Sequence, residues 1–235
     1  MSMSIEAHHY YKEQEKILIA TDCIIFGFDN QSIKLLVFKR RVAPFKGKWS
    51  LIGSFVKNNE SINDAAKRVL KEITGLKNVF LKQSKVYGDV GRDPGARCIT
   101  IGQYALIRIE DQDIALVEKH GAVWHELNEM PDLVLDHDQM VADALVQLRL
   151  KASYQPIGFE LLPEKFTIPS LQKLYESIYQ KKFDDRNFRK KIIHLEVLTK
   201  LNEKDKTTSK KGSFLYKFNR EKYEKLVALG IHFKL

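Results

Sequence analysis

Three ionisable residues in the segment GSFVKNNESINDAAKRVLKEITGL (53–76) are spaced for phosphate or metal chemistry: Glu60, Arg68 and Glu72. From Ile62 onward the residues Ile62, Ala65, Ala66, Val69, Leu70 and Ile73 recur at helical intervals, so Arg68 and Glu72, four apart, share one helix face. Ser61 with Asp64 three residues on resembles a capping box, and Gly75 suits the helix exit. Clustered carboxylates on such a helix would hold Mg²⁺, which demands near-octahedral oxygen ligation, polarises phosphoryl oxygens and activates water. Val69 and Ile73 extend the apolar stripe instead, so Glu72 is the one carboxylate on offer there. A single carboxylate is a poor basis for a Mg²⁺ site.

A second set of residues points to nucleic acid. On a helical wheel of 185–196, Phe188, Ile192 and Leu195 face one way, while Arg186, Asn187, Lys190 and His194 face the other, with Arg189 and Lys191 on the flanks. Arg can fork to guanine, Asn to adenine, and Lys neutralises phosphate. Lys204, Lys206, Thr207, Thr208, Ser209, Lys210 and Lys211 follow in a polar tract that offers cations and hydroxyls for backbone or minor-groove contact.

The net charge of +9 belongs almost wholly to this end. Residues 1–155 carry 21 Lys and Arg against 20 Asp and Glu, whereas residues 156–235 carry 18 against 10. Such asymmetry points to a polyanion as partner of one domain. With 235 residues there is room for two modest domains, and 44% hydrophobic with 29% charged residues is an ordinary globular balance. No apolar run is long enough to span a membrane, the N-terminus does not read as a signal peptide, and two cysteines, Cys23 and Cys98, make no disulfide framework. A cytoplasmic protein with reduced thiols and no membrane contact is expected.

These groups must be carried by a scaffold. The runs 17–28 and 33–40, separated by the turn Asp29-Asn30-Gln31-Ser32, read as a hairpin. Further strands are expected at 81–88, 98–107 and 121–127, and a helix at 136–152 capped by Asp136 or Asp138. Helical pattern and charge balance both change at Ser153–Gly158, which reads as a linker or hinge dividing domains 1–155 and 156–235. Beyond it come a helix beginning near Pro169, a turn, the basic helix, and the strands VLTKLN and SFLYKFN around the Lys-rich tract. A final helix over 220–230 completes a winged-helix order. The histidines His8, His9, His120, His125, His137, His194 and His232 show no metal-ligand spacing, and Asp136-His137-Asp138 reads as a helix cap.

Taken together, the chain resembles the Nudix-related transcriptional regulators of the NrtR type. The Nudix signature runs Gly, five residues, Glu, seven residues, then Arg-Glu-apolar-x-Glu-Glu-x-Gly-apolar. Glu60, Arg68, Leu70, Glu72, Gly75 and Leu76 match it, while Ser54, Val69 and Ile73 replace its opening Gly and two of its glutamates. A second motif of these regulators, a strand and loop with Gly, Arg-Asp-Pro and Arg, resembles Gly88, Arg92-Asp93-Pro94 and Arg97. The resemblance implies an α/β Nudix fold, a mixed sheet sandwiched by helices, followed by a C-terminal winged helix-turn-helix domain. It also implies a homodimer that binds double-stranded operator DNA and releases it on binding a small effector, with no catalytic residues, no metal and no other cofactor. Arg68 with Glu60 is then a structural ion pair.

The effector expected from the resemblance is a sugar or an ADP-ribose-like nucleotide. Loss of the carboxylates, Lys57 where many Nudix loops carry an acid, and likeness to an arabinose-responsive branch favour L-arabinose. Arg40, Lys57, Glu72, Asp89, Arg92, Asp93 and Arg97 would supply its polar contacts, with Ser54 and Trp124 as neighbours. Two other functions fit parts of the chain: an active Nudix hydrolase of nucleoside diphosphate derivatives with an accessory basic domain, and a non-specific RNA-binding or scaffold protein.

Overall fold

The computed structural model describes residues 11–206 and 211–229. Thr207, Thr208, Ser209 and Lys210, together with His8, His9 and His232, lie outside the described residues. The N-terminal unit is built on strand β1 (Leu18–Phe28), which is paired on both sides. One neighbour is β2 (Ile33–Lys39), antiparallel through the turn at Asp29–Ser32. The other is β6 (Cys98–Arg108), parallel from Leu18 opposite Cys98 to Phe28 opposite Arg108. β5 (Lys82–Tyr87) closes the β6 edge, and β7 (Ala122–Glu126) pairs with β2. Two strands that the residue pattern does not announce, β3 (Trp49–Ser50) and β4 (Ile52–Phe55), pair with β2 and β1. The sheet is therefore mixed.

Side chains two apart on a strand share a face, so β1 feeds two cores. Ile24, Phe26 and Phe28 pack with helix α3 (His137–Tyr154), while Cys23 and Ile25 pack with helix α1 (Ile62–Thr74). α1 starts and stops as its sequence dictates. The Ser61 hydroxyl oxygen accepts from the Asp64 amide, and Gly75 ends the helix at φ 78°, a left-handed conformation that costs glycine little. Helix α2 (Ile114–Lys119), capped by Asp113, is too short to show a helical period and has no counterpart in the expectations above.

The C-terminal unit follows the winged-helix order. α4 (Ile168–Tyr179) is capped by Thr167 in a reciprocal box with Ser170, and α5 (Asp185–His194) is capped by Asp184. β8 (Phe166–Thr167), β10 (Ser213–Phe218) and β9 (Leu198–Asp205) form a three-stranded sheet in that order, and α6 (Arg220–Ala228) closes the unit. No described helix is long and apolar enough to cross a membrane.

The two units share one apolar core. Phe26, Leu35 and Met140 belong to the same buried cluster as Phe166, Leu171 and Tyr175. Hydrogen bonds reinforce the join: the Arg108 guanidinium donates to the carbonyls of Glu160, Leu161 and Leu162, the Ile33 amide donates to Ser177 Oγ, and Arg149 Nε donates to the Ile178 carbonyl. Within the expected hinge, α3 runs on to Tyr154, and Gly158 approaches Leu174 so closely that an added Cβ would sit 2.8 Å from its Cδ2. The segment is packed in place.

Candidate functional site

A cavity of about 300 Å³ opens beside α1, between β1, β4 and the start of α3. Among the expected residues Arg40, Ser54, Glu72, Arg92 and Asp93 line it. Lys57, Asp89, Arg97 and Trp124 do not. Lys57 is exposed and its amide donates to Glu60 Oε1, which accepts from the Arg68 guanidinium as well. The Asp89 carbonyl accepts from the Arg92 amide and from Arg97 Nη1, so these two residues shape the loop. Trp124 packs over Gly27, on the opposite side of the sheet from α3, where its ring atoms would lie 2.5 Å from an added Cβ.

Two buried polar residues of the lining, Asp22 and His137, were outside the expected set. Asp22 is buried in the middle of an apolar strand, and His137 is buried at the start of α3. The Leu51 amide donates to His137 Nδ1 at 3.1 Å, which assigns the proton of the neutral ring to Nε2, 3.7 Å from Asp22 Oδ1. Thr100 Oγ1 donates to Asp22 Oδ2 at 2.7 Å. Burial pushes the His137 pKa down and favours the neutral ring, whose Nε2 faces the carboxylate beyond hydrogen-bond distance. Asp22 fits only because Gly53 faces it: a Cβ there would lie 1.7 Å from Oδ1. An aspartate in ILIATDCIIF was the available signal, since a charge placed among buried apolar residues needs a partner.

The cap at the start of α3 differs from expectation. Asp136 occupies the cap position but makes no side-chain capping bond, because its carboxylate is engaged by Arg92. Asp138 instead accepts from the Leu133 amide at 3.3 Å.

On the C-terminal unit, Arg186, Asn187, Arg189, Lys190, Lys191 and His194 are all exposed along α5, while Phe188 and Ile192 are buried beneath. Gln172 locks the two helices of the motif, donating to Asp185 Oδ1 at 2.8 Å and to the Phe183 carbonyl. Arg189 reaches back to the Tyr216 hydroxyl at 3.5 Å, on the wing. Lys204, Lys206 and Lys211 are exposed on the described part of the wing, with Lys204 Nζ over the Phe214 ring. The described part of this face is cationic and backed by the buried Phe188 and Ile192.

The NUDIX domain profile matches residues 16–144, and the NrtR DNA-binding winged helix domain profile matches residues 158–218. The chain belongs to the Nudix family, in its NrtR-like form with a winged helix. It is 28% identical over 211 residues to the ADPR responsive transcriptional repressor NtrR of Acinetobacter baylyi, covering 88% of this chain and 84% of that protein. It is 34% identical over 117 residues to an ADP-ribose pyrophosphatase of Methanocaldococcus jannaschii, covering 50% and 69%. The crystal structure of Shewanella oneidensis NrtR complexed with a 27mer DNA superposes with a TM-score of 0.72 at 26% identity, covering 88% of this chain and 95% of that one.

Nudix chemistry implies a bound Mg²⁺, and the residues of this Nudix box do not fit one. Val69 is buried in the core under α1, and Ile73 packs beside it. Glu72 is ion-paired to Arg68 at 3.1 Å, and Arg68 is held by Glu60 at 2.6 Å and by the Phe55 carbonyl. The Arg68 guanidinium hydrogen-bonds Glu60 and holds its carboxyl down at about 2. Among the described residues no three His, Cys, Asp or Glu side chains gather as a metal site. The Arg68–Glu60 pair expected from the resemblance is present and ties the loop before α1 to the helix.

Proposed function

We propose that this chain is an effector-responsive transcriptional repressor: a homodimer that binds operator DNA through α5 and the wing, and releases it when a small molecule fills the cavity beside α1. The observation that carries the reading is the union of a Nudix unit and an NrtR winged helix through one continuous core, with an exposed Arg-Asn-Lys face on α5. A shared core supports transmission of strain from the cavity to α5, since packed interiors rearrange between discrete states. Dimer symmetry would set two such helices about 34–36 Å apart, one turn of DNA. We place the division between sensor and DNA-binding domain at Gln155/Pro156, where α3 has ended.

The favoured effector is a neutral polyhydroxyl compound, with L-arabinose as first candidate. A cavity of about 300 Å³ stands at the small end of ligand pockets. It mixes opposite charges, Asp22 and Asp93 with Arg40 and Arg92, in the pattern that hydroxyl groups bridge as donor and acceptor at once. A diphosphate would want a metal or an uncompensated cationic pair, and Arg40 with Arg41, which among the described residues donate only to the Pro44 and His120 carbonyls, offers it the second. The curated relative from Acinetobacter is ADPR-responsive, which makes ADP-ribose the competing effector. The same depletion of carboxylates supports a sensor without hydrolase activity. A hydrolase remains the second reading, favoured by the likeness of half the chain to an ADP-ribose pyrophosphatase.

Fluorescence anisotropy on duplex DNA from upstream of the chain's own gene, with L-arabinose and with ADP-ribose, tests all of this. Sequence-specific binding released by arabinose supports the whole proposal; release by ADP-ribose alone keeps the repressor and replaces the ligand. Equal affinity for random DNA, with Mg²⁺-dependent cleavage of ADP-ribose, would establish the enzyme instead.

A further inference from the structure

We propose that the cleft at the junction of the two units is a second ligand site, which takes a phosphorylated small molecule between Lys82 and Lys151. The cleft encloses about 810 Å³ and shares no lining residue with the cavity beside α1. Its floor comes from the Nudix unit: Lys82 at the start of β5, Tyr104 opposite it on β6, and Lys151 in the last turn of α3. Its roof comes from the winged helix, where the aromatic side chains of Phe218 and Tyr223 line it. Interfaces between domains are a preferred location for ligand sites.

The floor carries two lysines, of which Lys82 has its Nζ over the Phe80 ring, 5.6 Å from the centroid. Lys82 and Lys151 both line this floor, and neither has a carboxylate within ion-pair distance among the described residues. Two acids of the cleft are paired with its other cations, Glu164 with Lys217 at 2.6 Å and Glu160 with Arg220 at 3.3 Å, and Glu224 lines it as well. Burial and the neighbouring Lys82 push the Lys151 pKa down to about 8, with Glu160 the one acid acting against them. Tyr104 and Tyr154 are the other titratable groups near this floor. Two half-buried ammonium groups side by side gain most from a divalent anion that accepts from both. A phosphate monoester carries about −1.5 to −2 charges at pH 7 and three acceptor oxygens, more than a carboxylate can supply. The aromatic roof would cover its organic part, and a bound molecule would touch both units at once.

The test is lysine-selective NMR of the full chain with isotope-labelled lysine, titrated with pH in chloride, in inorganic phosphate and in a sugar phosphate. Phosphate and sugar phosphate, but not chloride, are expected to move the Lys151 midpoint from about 8 back toward the ordinary lysine range. The sugar phosphate should act at lower concentration than phosphate if the roof takes part. Lys82→Gln should abolish the anion effect, and Lys151→Gln should remove the responding signal while leaving the thermal midpoint near that of the parent chain. No movement with either anion, or the same movement in chloride, overturns the site. These readouts do not involve DNA or arabinose, so the result stands apart from the repressor reading.

Discussion

Arg92 and Asp136 meet in a two-point ion pair, Nε to Oδ2 at 2.8 Å and Nη2 to Oδ1 at 2.5 Å, across 44 positions of sequence. The pair joins the loop after β5 to the cap position of α3, and its Arg92 lines the cavity. Because planar guanidinium and carboxylate match at two points, the contact fixes orientation as well as distance. Arg92→Ala should lower stability by about 2–3 kcal/mol, less than the cost of orphaning a fully buried charge, because the Asp136 side chain is 27% exposed. Arg92→Lys should restore charge without the fork and recover only part of the loss. A double-mutant cycle with Asp136→Asn, read by urea unfolding, checks the coupling; additive losses would mean the two side chains do not act as a pair.

His137 gives the cavity a dependence on pH. Burial holds its folded pKa below 6.5, so as acid is added the unfolded chain takes up this proton before the folded one does. The associated stability is full above the unfolded value and declines as pH falls from about 6.5 toward the folded value. The thermal midpoint should therefore drop on this acid limb, and His137→Gln should flatten it. Effector affinity should weaken only as pH falls through the lower, folded value, because the protonated ring no longer accepts from the Leu51 amide. An unchanged limb in the variant would assign the titration to other groups.

What was legible in the sequence follows from how strongly each residue's setting is written locally. The hairpin of β1 and β2, α1 with its caps, and the order of the winged helix were readable because apolar period and capping residues coincide. β8 and β3 are two-residue strands whose pairing is set by distant partners, and α2 has too few residues to display a period. In the cavity, Ser54, Glu72, Arg92 and Asp93 came from motif positions, and Arg40 from the end of the run 33–40. Asp22 was hidden inside an apolar run and His137 inside what reads as a cap, and their meeting depends on the pairing of β1 with β4 and β6. Trp124 shows the converse: its ring belongs to the core that backs Gly27, a role that strand composition favours.

For α5 the exposed residues divide by what they can contact. Arg186→Ala or Asn187→Ala should reduce discrimination between operator and random duplex by about 1–3 kcal/mol if either reads a base edge. Lys206→Ala or Lys211→Ala should weaken all duplexes alike and lower the slope of affinity against salt by about 1. Anisotropy titrations at several salt concentrations separate the two patterns. Identical behaviour of all four variants would show that α5 is not the reading helix.

Arg108 ends β6, the strand parallel to the one that carries Asp22, and its guanidinium is spent on the carbonyls of Glu160, Leu161 and Leu162 in the connection to the winged helix. It is a rigid link between the two units that touches neither the cavity nor the DNA face. On the repressor reading, Arg108→Ala should leave operator affinity without effector within about threefold of the parent, because α5 and the wing are untouched. Effector affinity should also hold. What should shrink is the coupling between them, about 1–3 kcal/mol in systems of this kind, so that saturating effector no longer displaces the operator. Lys173→Ala, which removes a more exposed contact to Gln31 across the same junction, should have a smaller effect. Full effector release by Arg108→Ala would place the transmission in the apolar core shared by α3 and α4, and Leu171→Ala would then be the variant that uncouples.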